Sequence, residues 1–170
     1  MQLLVVRHAL AEDAEVWSRT HGDDASRPLT DEGRKKMKEG AKGLRTLVSK
    51  VDVLATSPFT RARETAQILG KALDAPDAVV VPQLAPGGRP EDVAGWLDRH
   101  RGDGEKTAAI VGHEPTLGLL VSWLVAGVER PLLEFKKGGA CLLELGNRIA
   151  AGQAMLLWLL TAGQLRDLKD

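Results

Sequence analysis

Leu3-Leu4-Val5-Val6-Arg7-His8-Ala9 decides how the chain folds: four branched aliphatic residues in succession, then an arginine and a histidine. An uninterrupted apolar run of this length favours a strand buried on both faces, as in the parallel sheets of α/β proteins. Arg7 and His8 then stand at the strand's carboxyl end. In open α/β sheets that edge is where ligands bind, because loops and helix N-termini converge there. Taken alone, the pair is weak evidence, since an Arg-His dipeptide after a strand is more often a polar surface corner.

Working outward, a length of 170 residues fits one domain, 1–170, with a core large enough to need neither disulfide nor metal staples. The hydrophobic fraction of 44% and charged fraction of 27% are those of a globular protein. Lys+Arg and Asp+Glu both total 23, so the chain has no global field for nucleic acid or an anionic membrane. An anionic ligand must be held by a local cluster. Cys141 is the only cysteine and lies beside Leu142 and Leu143, which makes it a small apolar core residue and excludes an internal disulfide. The N-terminal apolar run has no basic segment before it and stops at Arg7, unlike a signal peptide, and residues 155–160 are too few to span a bilayer. The expected location is cytoplasmic.

Residues 11–27 are polar and read as a loop or short helix over the sheet edge. Thr30-Asp31-Glu32-Gly33 offers an N-cap and an acidic first turn, with Pro28 just outside, so a helix starts here. Met37, Ala41, Leu44 and Val48 share its buried face, while Arg34, Lys35, Lys36, Lys38 and Lys42 form a solvated one. No aromatic residues interleave those cations as a nucleic-acid surface would require, and Gly40 and Gly43 weaken the helix. Residues 51–56 read as a strand, and Ser57-Pro58 as the N-cap and first position of the next helix. That helix buries Ala62, Ala66, Leu69 and Leu73. Periodicity does not choose between Arg61 and Arg63 as the arginine nearer the strand end. Residues 79–81 form a short strand, 82–90 a loop that shapes a pocket rim, and 90–101 a helix with Val93, Trp96 and Leu97 inward.

A strand at 107–111 breaks at Gly112-His113-Glu114-Pro115, ahead of a helix at 116–125. His113 thereby occupies the same strand-end context as His8. Residues 140–145 and 153–160 pair as strands about Gly146-Asn147. The four histidines lack HxH or HExxH spacing, and neither a GxxxxGK loop nor a GxGxxG fingerprint occurs, so no catalytic metal and no nucleotide loop is expected. The polar strand ends fit one chemistry instead. Arg7 and Arg61 can supply planar donor forks for phosphate oxygens, and a histidine the attacking nitrogen. His8 attacks only as the neutral imidazole, a form that nearby guanidinium groups favour by repelling the imidazolium. His113 can stabilise charge that builds on the transferred oxygens.

VVRHALAE at residues 5–12, RPLTDEG at 27–33, SPFTRARETA at 57–66 and VGHEPTL at 111–117 together resemble the histidine phosphatase superfamily, and specifically its SixA-like phosphohistidine phosphatase branch. The resemblance spans the chain in order. It implies a three-layer α/β/α sandwich around a mixed, mostly parallel sheet, the phosphoglycerate mutase-like fold. It also implies that His8 is transiently phosphorylated, that Arg7 and Arg61 clamp the phosphate, and that His113 is the second pocket histidine. Arg61, preceding Ala62, is thereby chosen over Arg63, and Arg27 of RPLT is placed near the phosphate. The chemistry implied is metal-independent hydrolysis without a cofactor, and the substrate phosphohistidine on a partner protein. The alternatives are a small metabolite or nucleotide phosphomonoester, and a non-catalytic module that binds phosphorylated partners. The chain departs from the family in carrying Ala9 where RHG is usual, and in having no room for the insertions that hold a general acid in larger relatives. Glu114 is the nearest candidate acid, and it fits equally an acidic residue favoured by a helix N-terminus.

Overall fold

The computed structural model describes residues 1–101 and 106–168. Six strands form one sheet: β1 (Gln2–Arg7), β2 (Val53–Thr56), β3 (Val79–Val80), β4 (Thr107–Gly112), β5 (Ala140–Leu145) and β6 (Ala154–Leu160), in spatial order β3-β2-β4-β1-β5-β6. The β3–β2, β2–β4 and β4–β1 pairs are parallel, while β1–β5 and β5–β6 are antiparallel. The expected mixed sheet is therefore present, and the last two strands form the expected pair.

Among the described residues, six α-helices complete the fold: α1 (Ala14–His21), α2 (Asp31–Leu47), α3 (Thr60–Ala72), α4 (Pro90–Arg99), α5 (Thr116–Ala126) and α6 (Ala162–Asp167). Side chains alternate across a strand, so the apolar run of β1 feeds two cores at once. Leu4 and Val6 pack with Met37, Ala41 and Leu44 of α2, Ala66 and Leu69 of α3, and Leu165 of α6. Leu3 and Val5 pack with Val93 and Leu97 of α4, Leu117, Leu120 and Leu124 of α5, and Phe135. This double burial makes the three layers. Cys141 lies in the second core, and burial pushes its thiol well above the ordinary range.

Local signals account for most boundaries. The Thr30 hydroxyl accepts from the Gly33 amide at 2.9 Å and starts α2 as expected. Residues 11–27 resolve into α1, capped by Asp13, and a 3-10 turn at Asp24–Ser26. Helix α4 ends at Arg99 and α5 at Ala126, each within two residues of expectation.

One reading changes and another gains a reason. Ser57-Pro58 does not open α3, which starts at Thr60 with Phe59 as a cap that makes no side-chain bond. A residue before proline is kept out of the helical region, and the Ser57 hydroxyl is engaged by His113 at 2.8 Å, so the helix starts two residues later. The glycines of α2 are the second case. A Cβ on Gly43 would overlap the Leu165 carbonyl oxygen, and one on Gly33 the Leu10 carbonyl oxygen. These glycines cost helix propensity but permit α6 and the segment after His8 to approach the α2 backbone.

Candidate active site

The parallel register places the chemistry. Arg7 of β1 lies opposite Gly112 of β4, so the next residues, His8 and His113, leave the sheet side by side. The His8 amide donates to the Gly112 carbonyl at 3.0 Å, and the two imidazole centroids are 5.1 Å apart. Thr56 of β2 lies opposite Val111, which brings Ser57 and the first turn of α3 to the same edge. Arg61, in that turn, is 4% exposed. Arg63 is exposed, so burial makes the choice that periodicity left open.

All six candidates from sequence, Arg7, His8, Arg27, Arg61, His113 and Glu114, line one cavity of about 440 Å³. Pro86 lines it too, as expected of the 82–90 loop. Among the described residues no group of three or more His, Cys, Asp or Glu side chains is arranged to hold a metal ion.

His8 Nδ1 is 2.7 Å from the Ala9 carbonyl oxygen. A carbonyl only accepts, so Nδ1 carries the proton and Nε2 of the neutral ring keeps its lone pair. The Ala9 amide in turn donates to Thr65 Oγ1 at 3.1 Å, and that hydroxyl donates to the Arg61 carbonyl at 2.7 Å. Thr65 thus ties the His8 segment to the turn that carries Arg61.

The arginines are held individually. Arg61 Nη1 and Nη2 donate to the Asp24 carbonyl and Oδ2 at 2.8 and 3.0 Å. Arg27 Nε donates to Asp24 Oδ1 at 2.7 Å, and its Nη1 to the Glu12 carbonyl at 2.7 Å. Burial opposes ionisation of Asp24, yet these two guanidinium groups hold its carboxyl below the usual range. Arg7 Nη1 donates to the Phe135 carbonyl, while the Phe135 amide donates to Glu114 Oε1 at 2.9 Å. The backbone of one residue, Phe135, therefore orients both Arg7 and Glu114. Among the described residues, Arg7 Nε, Arg61 Nε and His113 Nδ1 are buried without a hydrogen-bond partner. Buried polar groups are nearly always paired, so three orphans around one cavity mark a site built for an acceptor-rich ligand.

Both histidines are neutral at physiological pH. Their pKa values fall from 6.5 to about 3, chiefly through burial, with Arg61 adding to the shift at each. The expected repulsion by guanidinium groups therefore acts at His8 but is secondary to desolvation. Burial also raises the Glu114 carboxyl, against the Phe135 hydrogen bond and the Arg7 charge. Between pH 6.5 and about 3 the unfolded chain binds protons that the folded one refuses, so stability rises with pH over this window and is lost on acidification. Urea unfolding measured from pH 7.5 to 4 is expected to show a decline of up to about 1.4 kcal/mol per pH unit from each histidine. In a His8→Asn/His113→Asn double variant the decline is expected to be shallower.

Sequence reasoning missed Asp24, Ser57, Thr65 and Phe135. Asp24 lay in a polar stretch without periodicity, and Ser57 resembled a helix cap. Phe135 sits in the α5–β5 connection, where nothing in the sequence signals a contact with residue 7.

A family model described as the histidine phosphatase superfamily, branch 1, matches residues 3–85. The phosphohistidine phosphatase SixA of Escherichia coli strain K12 is 31% identical over 134 residues, covering 78% of this chain and 79% of the relative. An uncharacterized protein of Picosynechococcus is 34% identical over 163 residues, covering 95% and 96%. Among solved structures, that of the protein histidine phosphatase SixA complexed with tungstate matches with a TM-score of 0.82 at 28% identity, covering 97% of this chain and 99% of that one. The alpha-ribazole phosphatase from Shigella flexneri, at 19% identity, shares the fold with a TM-score of 0.71 over 95% and 97% of the two chains. The match of relatives across most of both chains shows that this phosphatase belongs to the histidine phosphatase superfamily, in its SixA-like branch.

Proposed function

We propose that the protein removes phosphate from phosphohistidine on a partner protein, through a phosphohistidine intermediate on His8 and without a metal ion. The observation that carries this reading is the commitment of His8 Nδ1 to Ala9, which leaves Nε2 unprotonated in a cavity ringed by guanidinium donors. In the first step Nε2 forms a bond to phosphorus while the substrate's P–N bond breaks, and the substrate imidazole, already protonated on its other ring nitrogen, leaves as a neutral ring. Water then attacks phosphorus, the bond to His8 breaks, and inorganic phosphate leaves. Arg7, Arg61 and Arg27 hold the phosphoryl oxygens and offset the charge that builds on them. The tungstate of the SixA structure is a tetrahedral oxyanion of the class these donors suit.

His113 acts in this scheme as a neutral donor. Ser57 Oγ accepts from the Phe59 amide at 3.3 Å and lies 2.8 Å from His113 Nε2. With the hydroxyl proton directed to Nε2, the ring proton sits on the unpartnered Nδ1 and is available to a transferring oxygen. Ser57→Ala is expected to lower kcat by roughly tenfold to a hundredfold with little change in KM, and to shift the His113 ring nitrogen resonances toward the other tautomer. An unchanged spectrum beside a lost rate would assign Ser57 a packing role alone.

A cavity of about 440 Å³ also lies within the size range of small-molecule sites, roughly 300–1,000 Å³, which favours a phosphomonoester as the second reading. The leaving group separates the two. An alkoxide needs a proton in the transition state, whereas a histidine side chain departs as a weaker base. Glu114→Gln keeps an oxygen to accept from Phe135 and removes only the acid. It is expected to cut turnover of alkyl phosphates by roughly a hundredfold and leave phosphohistidine nearly unaffected. Equal loss on both would remove Glu114 from proton transfer and leave it as the anchor of Phe135. Ready turnover of alkyl phosphates by the wild type, with none of phosphohistidine, would establish the second reading.

A further inference from the structure

A second cleft of about 280 Å³ opens between α2 and α6, beside the reaction cavity. Leu10 and Lys137 line both, so the segment that follows His8 forms the wall between them. The floor is made of small and apolar residues such as Ala9, Gly33 and Met37, and the rim carries Lys36, Lys136, Lys137 and Arg166. Among the described residues no aspartate or glutamate lines it, whereas Glu12, Asp13 and Glu114 all line the reaction cavity. Among the described residues Lys36 is paired with the exposed Glu32 one turn earlier on α2, Lys136 reaches only Glu134, at 3.8 Å between two exposed side chains, and Lys137 and Arg166 form no ion pair. In a chain of zero net charge, this is a local excess of cations placed one wall away from the nucleophile.

From this arrangement we infer that the cleft is a docking subsite for acidic side chains flanking the phosphorylated residue of a protein substrate. The inference rests on the phosphohistidine reading above and adds how the partner is recognised. The volume lies just below the usual range for a whole small ligand, which suits one or two side chains of a longer chain. The cationic rim supplies complementary potential, which speeds encounter and selects among partners. The small-residue floor lets a peptide backbone lie close to α2.

The test uses two peptides, each with one phosphohistidine, flanked on both sides by glutamates in the first and by glutamines in the second. The wild type is expected to show roughly tenfold higher kcat/KM on the glutamate peptide, the difference residing in KM and fading as salt is raised. Lys136→Glu/Arg166→Glu, both outside the reaction cavity, should abolish or invert that preference and leave turnover of the glutamine peptide unchanged. Lys136→Gln/Arg166→Gln, the milder change against misfolding, should abolish it without inversion. Equal wild-type rates on the two peptides, or a preference that survives both double variants, would overturn the docking subsite alone. Failure of the wild type to turn over either peptide, with an aryl phosphate still hydrolysed, would overturn the phosphohistidine reading and the subsite with it.

Discussion

His8→Ala is expected to lower turnover by roughly 10⁴-fold or more and to abolish covalent labelling of the enzyme. The size follows from the loss of a nucleophile for which the remaining donors cannot substitute, since binding and charge stabilisation persist while the two-step route disappears. The check is a brief reaction with labelled substrate, quenched in alkali because a phosphoramidate is stable to base and labile to acid. The label should fall on the peptide that contains His8. Because burial lowers the His8 pKa to about 3, labelling should persist at pH 5, where a histidine in solution is mostly protonated. Label on His113 in an active His8→Ala enzyme would reverse the assignment of the two rings.

Arg61→Ala is expected to reduce kcat/KM by about 10²–10³-fold, the cost of removing one preorganised donor from a buried site. Two effects combine. The phosphoryl oxygens lose a planar fork, and Asp24, which accepts from both Arg61 and Arg27, keeps only one of them. Arg61→Lys should recover little, since an ammonium cannot span the Asp24 carbonyl and carboxylate while facing the cavity. The Arg61 charge also helps lower the pKa values of His8 and His113, so its loss should move the acid limb of the rate profile to higher pH. Arg63→Ala, on the exposed side of the same turn, serves as the control and should retain full activity. Steady-state rates from pH 4 to 8 on the three variants would decide the matter. An active Arg61→Ala enzyme would remove this residue from the clamp.

The sequence was informative where chemistry depends on local pattern. The apolar run of β1 implied burial on both faces, and the polar residues at its end and at the end of β4 implied a shared edge, which their register supplies. The Thr30 cap was legible because its partner lies three residues away. What escaped were contacts made across long separations. Asp24 meets Arg61 across 37 residues, Ser57 meets His113 across 56, and Phe135 meets Arg7 across 128. Each of those side chains has an ordinary local role that matches its neighbours in sequence, so no periodicity betrays the second one. Ser57 shows the difficulty most clearly, since a serine before proline and ahead of a helix is a common cap until its hydroxyl is seen beside an imidazole.

The ladder between β1 and β4 acts as a ruler for the two histidines. Their separation is not a continuous variable: it changes only by sliding one strand past the other, in steps of about 3.3 Å, and each single step also turns the side chains to the opposite face. An insertion or deletion within either strand would therefore dismantle the reacting pair rather than retune it. The connections at 11–27, 82–90 and 127–139 carry no such quantised constraint. Apart from Asp24, Arg27 and Phe135, which hold the clamp, these connections can be lengthened or their residues exchanged while the spacing of the rings stays constant.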